Sequence, residues 1–190
     1  MTACAAEQWR DTASGRPHVK LDEAIKTALE FEGKVHKTYL DAMQAAESDV
    51  AKRAFRTLCD EEKGHIEYLR ERLDEWKQTG KITVVELATV IPSRETIEAG
   101  VQRLKEKVAG QPGPGHDVEL ESLRRALEVE VETANFYKEM VRTLDADGQR
   151  LFRRFVEIEE GHQAIVQAEI DCLTGSGFWF DSFEVHLESG

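Results

Sequence analysis

Hydrophobic residues recur every three or four positions along four long stretches of the chain. This spacing is typical of amphipathic helices, whose apolar residues share one face. It predicts helices over about residues 21–46, 50–78, 117–144 and 147–173. Because all four stretches have the helical period, we expect an all-α fold in which four long helices pack as a bundle.

The predicted helix ends carry recognisable signals. Gly80 is a typical C-terminal stop, and Asp147 is a candidate N-cap of the fourth helix. The connection over residues 79–116 is much longer than the usual link between packed helices. Within it, Ser93 precedes an apolar helical face that ends at Gly110 and the QPGPG break. The signals therefore predict a long crossover that contains a short extra helix.

Outside the bundle, the chain is divided into a polar arm and an aromatic tail. We assign residues 1–20 to an N-terminal arm, residues 21–174 to the bundle domain and residues 175–190 to a C-terminal tail. We expect the aromatic run of the tail to pack over the bundle or to lie at a subunit contact. The run consists of Phe178, Trp179 and Phe180.

The two halves of the chain repeat each other. ALEFE at 28–32 matches ALEVE at 126–130, and a tyrosine follows the last glutamate of each segment after seven residues. EKGH at 62–65 matches EEGH at 159–162. An internal repeat indicates two equivalent structural units. We therefore expect two helical hairpins, joined by the crossover and packed as a pseudo-symmetric four-helix bundle.

The repeat contains six candidate metal ligands. Each half has a glutamate on its first helix and a Glu-x-x-His pair on its second, and residues three apart lie on one helical face. Four buried carboxylates need compensating charge, and Lys and Arg are scarce on these faces. Helical bundles bind two metal ions with such a ligand set. The predicted ligands are Glu32, Glu62, His65, Glu130, Glu159 and His162.

Several residues near the predicted ligands have two interpretations. Tyr39 and Tyr137 could hydrogen-bond a ligand carboxylate or relay an electron, or they could be ordinary core aromatics. His36 could be an extra ligand, a base beside the site or a satisfied histidine at its rim. Cys59 is expected to be an inert buried thiol bordering the site.

Off the ligand face, four glutamates are expected to have ordinary solvated roles: Glu30, Glu61, Glu128 and Glu160.

Composition limits the partners and the metal. The formal net charge of −12 argues against nucleic acid, whose phosphates require clustered Lys and Arg. No apolar stretch approaches the roughly 18 residues of a membrane span, and the N-terminus does not have the pattern of a signal peptide, so we expect a cytoplasmic protein. Three widely spaced cysteines give neither a disulfide framework nor a thiolate metal site. Carboxylate and imidazole ligands suit iron or manganese, and zinc would also bind.

With these motifs, the chain resembles the ferritin-like superfamily and, within it, the rubrerythrin-like proteins. The resemblance covers residues 21–173, and the tail segment GFWFDSFE is also similar. It implies a ferritin-like fold with two iron ions. It also implies that Glu32 and His65 serve one iron, that Glu130 and His162 serve the other, and that two glutamates bridge them. The bridging pair is Glu62 and Glu159.

The chain departs from rubrerythrins in two respects. It has no C-x-x-C pair, so the rubredoxin domain of rubrerythrins is missing from this sequence. Thr133 stands where many of those proteins have a seventh glutamate, so the ligand count is closer to that of bacterioferritin. These departures weaken the expectation of redox-driven ligand exchange and of self-contained peroxidase activity.

The resemblance leads us to expect a non-haem di-iron oxidoreductase that reacts with hydrogen peroxide or dioxygen. Electrons would come from an external donor, such as a rubredoxin-type carrier, or from incoming ferrous iron. The first source gives a peroxidase and the second a ferroxidase. The alternatives are an iron-binding or storage protein and a di-iron hydroxylase of an organic substrate. We expect a homodimer because two-fold association is the commonest soluble assembly.

Overall fold

The computed structural model describes residues 19–107, 116–175 and 179–180, and the structured elements in these ranges are all helical. The helices are α1 (Leu21–Ala45), α2 (Asp49–Thr79), α3 (Arg94–Lys107), α4 (Asp117–Thr143) and α5 (Ala146–Gly175). No strand occurs in the described ranges, so the predicted all-α class is confirmed. None of these helices combines the length and the apolar character needed to cross a bilayer.

Two of the predicted helix ends are confirmed and one is wrong. Gly80 ends α2 in the left-handed region, with φ 68°, and the Ser93 hydroxyl accepts a hydrogen bond from a backbone N–H of α3 at 3.4 Å. Asp147 does not cap α5. The helix begins one residue earlier than Asp147, and the Asp145 carboxylate accepts the Gly148 N–H at 3.0 Å. The two-residue turn after α4 places Asp145, and not Asp147, at the position that caps α5.

The long helices pack as two antiparallel pairs. Residues 46–48 connect α1 to α2 and residues 144–145 connect α4 to α5, and such short links make consecutive helices neighbours. Contacts between α1 and α4 join the pairs. Buried apolar residues form one cluster around Tyr39 and another around Tyr137. Each long helix carries either a single glutamate or a Glu-x-x-His pair on its polar face. The packing places the polar faces of the two helix pairs against each other.

The crossover runs without regular structure from Gly80 to α3, and side chains of the bundle bind its carbonyl groups. The Tyr68 hydroxyl donates to the Val85 carbonyl at 2.8 Å. Arg154 donates through Nε to the Leu87 carbonyl at 3.0 Å. Backbone carbonyls outside helices and sheets accept hydrogen bonds from side chains or from water. The crossover is therefore fixed against both α2 and α5.

Gly161 allows the crossover to approach α5 closely. A Cβ atom on Gly161 would lie 3.0 Å from the Pro92 carbonyl oxygen, whereas one on Gly64, the equivalent glycine of the first half, would meet nothing within 4 Å. We expect Gly64→Ala to raise the free energy of unfolding by up to about 1 kcal/mol, because Ala is the better helix former.

For Gly161→Ala we expect no such gain, since the backbone at Pro92 must shift to make room. Urea unfolding of both variants measures the difference. Equal stabilisation by the two substitutions would contradict the close approach at Gly161.

The two described residues of the tail pack on the bundle. The Trp179 ring meets Phe55 edge to face at 5.8 Å, and the Phe180 N–H donates to the buried Glu169 carboxylate at 2.7 Å. The prediction that the tail packs over the bundle is confirmed for these two residues, and a subunit contact there stays a prediction. Phe178, Gly110, the QPGPG segment and residues 1–18 lie outside the described residues.

Candidate metal centre

The structure brings the six predicted ligands together inside the bundle. Their side chains come from all four long helices and are at most 1% exposed. Oxygen and nitrogen atoms of these six residues form two groups, and a third group joins His65 and His162 to the neighbouring Glu61; within each group the atoms lie within 4.8 Å of one another. The first group contains Glu32, Glu62, His65 and Glu159, and the second contains Glu62, Glu130 and His162. Buried Glu and His clusters with the dimensions of metal sites are therefore present.

Glu62 belongs to both groups because its two carboxylate oxygens face different imidazoles. Oε2 lies 3.2 Å from Nδ1 of His65, and Oε1 lies 2.8 Å from Nδ1 of His162. The imidazole rings are nearly parallel, 12° apart, with centroids separated by 5.3 Å. One carboxylate between two such nitrogens is positioned to bind two cations at once.

Two further carboxylates lie in the His65 group, whereas only one further carboxylate lies in the His162 group. In the first group, the oxygens of Glu32 and Glu159 lie 3.2 Å and 3.8 Å from Nδ1 of His65. In the second group, Glu130 Oε1 lies 3.7 Å from Nδ1 of His162. Glu159 is thus found with the His65 group, and its predicted bridging role stays a prediction.

The two predicted tyrosines each bind a glutamate of the opposite half of the chain. The Tyr39 hydroxyl donates to Glu130, and the Tyr137 hydroxyl donates to Glu32. Both phenols are fully buried, and burial raises the pKa of each well above its ordinary value, so both remain protonated donors. Of the interpretations offered for the tyrosines, the structure thus shows a hydrogen bond to a candidate ligand glutamate in both halves.

Several polar atoms of the candidate ligands form no hydrogen bond of acceptable geometry, even where a charged neighbour is close, as between Glu62 and His162. These atoms are Glu62 Oε1, His65 Nε2, Glu130 Oε2, both carboxylate oxygens of Glu159 and both ring nitrogens of His162. A buried polar atom without a partner costs free energy, and a native structure explains such atoms by water, an ion or a function. All of these atoms belong to residues of the two groups described above, whose carboxylates and imidazoles can offer lone pairs to a cation. The residues present therefore fit two divalent cations.

The electrostatics also indicate missing positive charge. Burial and the nearby carboxylate of Glu62 raise the pKa of Glu32 to about 8, and burial with three carboxylates raises that of Glu159 well above its ordinary value. The pKa of His65 rises to about 10 because Glu62 and Glu32 outweigh the opposing effect of burial. Without metal, protons must neutralise the site, and two divalent cations would replace them.

Glu61 was predicted to be an ordinary solvated glutamate, and this prediction is wrong. Its side chain is only 11% exposed, and its Oε2 lies 3.9 Å from Nε2 of His162. The crossover covers it, because the Thr89 hydroxyl and the Val90 N–H donate to its carboxylate. Helical periodicity could not reveal this, since a residue distant in sequence covers the position.

We expect Glu61→Ala to weaken metal binding in the second group about 10- to 100-fold, the usual cost of losing an outer partner of a ligand histidine. The Glu61 carboxylate faces the imidazole nitrogen of His162 that is turned away from Glu62, where it can hold the ring in orientation. Calorimetric titration with Zn²⁺ measures the effect. Glu67→Ala, on an exposed residue of the same helix, is the control. Equal affinities of the two variants would contradict the role of Glu61.

The other residues near the site lie outside both groups. Half-buried His36 contributes only its backbone carbonyl, 4.0 Å from the thiol of buried Cys59. Thr133 is buried and donates to a carbonyl of its own helix. Glu30 and Glu128 are exposed, as predicted. Glu160 forms an ion pair with Lys138.

The chain was compared with family models, with curated proteins and with solved structures. No family model matches, and neither of the other two comparisons found a match.

Proposed function

We propose that this protein is a non-haem di-iron oxidoreductase that reduces hydrogen peroxide or dioxygen with electrons from an external donor. The observation that carries the proposal is Glu62, whose two oxygens face two different imidazoles within a fully buried set of four carboxylates. Two iron ions bound there would supply the electrons for the oxidant and act as Lewis acids.

The choice of iron rests on the donors. Oxygen and imidazole nitrogen ligands without thiolate favour iron or manganese, with zinc as a competitor. Glu32 and His65 would hold one ion, Glu130 and His162 the other, and Glu62 would connect them. Glu159 would complete the first ion's ligands from its position 3.8 Å from His65.

The protein supplies orientation and exclusion of water. Tyr39 and Tyr137 each donate to a glutamate, which fixes the direction of the remaining lone pairs of that carboxylate. The ligands are buried in a bundle whose core also holds large apolar clusters, so small oxidants are favoured over large organic substrates. The groups that give up protons when cations bind are the protonated carboxyls and imidazoles of the site.

The fold that we propose is the ferritin-like bundle of two repeated hairpins. It is supported by the helix order, by the two short links and by the contacts between α1 and α4. The long crossover with α3 inside it distinguishes the chain from a minimal four-helix bundle. A small assembly, such as a homodimer, is part of the proposal.

The test begins with anaerobic loading of the full chain with Fe²⁺, removal of free iron and metal analysis. We expect about two iron ions per chain, as the paired ligand sets require. Hydrogen peroxide is then added, and its consumption and the visible absorbance of oxidised iron are followed with and without an added reductant. We expect faster oxidation than with the same concentration of free Fe²⁺, and continued consumption only with reductant.

Glu67→Ala serves as the matched control and should behave as the parent chain. Gel filtration in the same experiment distinguishes a small assembly from a hollow storage particle. No bound iron, or oxidation no faster than with free iron, would contradict the proposal. A large particle that retains many iron ions per chain would favour storage instead.

A further inference from the structure

Aromatic rings connect the ligand His65 to the protein surface. Phe155 is central: its ring centroid lies 5.6 Å from that of His65, 4.9 Å from that of Tyr137 and 6.0 Å from that of Tyr68. Tyr137 in turn donates to the ligand Glu32. The aromatic cluster therefore contacts two ligands of the same group through one phenylalanine.

Tyr68 is where the cluster reaches the surface. Its ring is half-buried, and its hydroxyl donates to the Val85 carbonyl of the crossover. The Arg72 guanidinium lies 5.2 Å from the ring centroid. A polarisable, oxidisable side chain is thus held at the surface, only one ring away from a ligand imidazole.

The opposite half of the repeat has aliphatic residues at the equivalent positions. Leu58 corresponds to Phe155, and Ile165 corresponds to Tyr68, with the Glu-x-x-His pairs as the reference. Both halves fill their cores, so packing alone does not require rings in one half and branched aliphatic chains in the other. An aromatic path therefore exists on the His65 side of the repeat. The equivalent positions on the His162 side hold Leu58 and Ile165, which provide no aromatic path.

We propose that Tyr68 and Phe155 form the path by which electrons enter the metal centre, at the ligand His65. The inference rests on the function proposed above. In each transfer, the external donor loses one electron and one metal ion gains it, and no covalent bond forms or breaks. Two transfers return both electrons that the oxidant removed, and solvent supplies the protons that the reduced oxidant takes up.

Contact between aromatic rings favours electron transfer along this path. Electron transfer through protein falls steeply with the gap between donor and acceptor orbitals, and stacked or edge-to-face rings shorten the gaps that the electron must cross. The rings of Tyr68, Phe155 and His65 touch in sequence. Leucine and isoleucine at the same positions would replace π orbitals by saturated carbon.

The experiment uses iron-loaded full-length protein, oxidised with peroxide, freed of excess oxidant and mixed with reduced methyl viologen in a stopped-flow instrument. The test variants are Tyr68→Ile and Phe155→Leu, which introduce the residues of the opposite half. Phe55→Leu is the matched control, since Phe55 is as fully buried as Phe155 but contacts Trp179 instead of the path. Tyr68→Phe keeps the ring. Iron content and reduction potential are measured for every variant.

We expect Tyr68→Ile and Phe155→Leu to slow reduction by at least an order of magnitude relative to Phe55→Leu. We expect Tyr68→Phe to remain close to the parent chain and all the reduction potentials to be unchanged. Tyr68 is half-buried, so its variants test the path even if Phe155→Leu fails to fold. Reduction of Tyr68→Ile at the rate of the parent chain would overturn the path, although bound iron and peroxide reactivity would still support the proposed function.

Discussion

Glu62→Ala is expected to remove metal binding from both halves of the centre. Each oxygen of this carboxylate faces a different imidazole, so one substitution deletes a ligand from two groups. Metal analysis after anaerobic loading should fall from about two ions per chain to none. Glu32→Ala provides the contrast, because it removes a ligand from the first group only. We expect that variant to retain one ion per chain, bound in the second group, which contains His162.

Glu67→Ala controls for the loss of one negative charge from the same helix. Apo-protein melting curves must accompany the analysis, since removal of a buried carboxylate from a site with excess negative charge leaves the fold intact or stabilises it. Retention of two ions by a folded Glu62→Ala protein would show that the buried carboxylates serve another purpose. Such a result would exclude the metal centre described above.

We also expect the free energy of unfolding to depend strongly on bound metal and on pH. Folding raises the pKa of His65 from 6.5 to about 10, so its stabilising contribution is complete below pH 6.5 and is lost as the pH rises toward 10. Glu32, whose pKa rises from 4.5 to about 8, loses its contribution as the pH rises through that interval. Protein without metal should therefore become less stable between about pH 6.5 and 9.

Metal reverses this trend because cations bind the deprotonated ligands. At a free metal concentration of about 1,000 times Kd, the added stability is about 4 kcal/mol. Scanning calorimetry with EDTA or with Mn²⁺ at several pH values measures the difference. We expect the gap between the two melting temperatures to widen as pH rises and to vanish in Glu62→Ala. A gap that narrows with pH would contradict the assignment of these residues as ligands.

The sequence was sufficient to predict the helices and the residues that converge. The helical period identified the buried faces. The repeat distinguished the pairs Glu62–His65 and Glu159–His162 from the other glutamates and histidines of the chain. The structure buries these four side chains almost completely. Local periodicity and internal repetition are properties of the chain itself, which is why they could be used without coordinates.

What the sequence could not reveal depends on contacts between distant segments. Glu61 is shielded from solvent because the crossover folds over it. No local pattern predicts where an irregular crossover will lie. The direction of each tyrosine toward the opposite half also follows from packing. Asp145 replaced Asp147 as the cap because the length of the turn after α4 decides which aspartate reaches the helix.

The exchange of hydrogen bonds between the halves bears on how such a chain could have originated. Tyr39 donates to Glu130 and Tyr137 donates to Glu32, so neither hairpin satisfies its own tyrosine. Two identical copies of one hairpin, related by a two-fold axis, would make both bonds and share the same central ligands. A gene encoding a single hairpin could thus have produced a complete site as a homodimer before duplication and fusion. Fusion would leave each half free to change separately, as the differences between Phe155 and Leu58 and between Tyr68 and Ile165 illustrate.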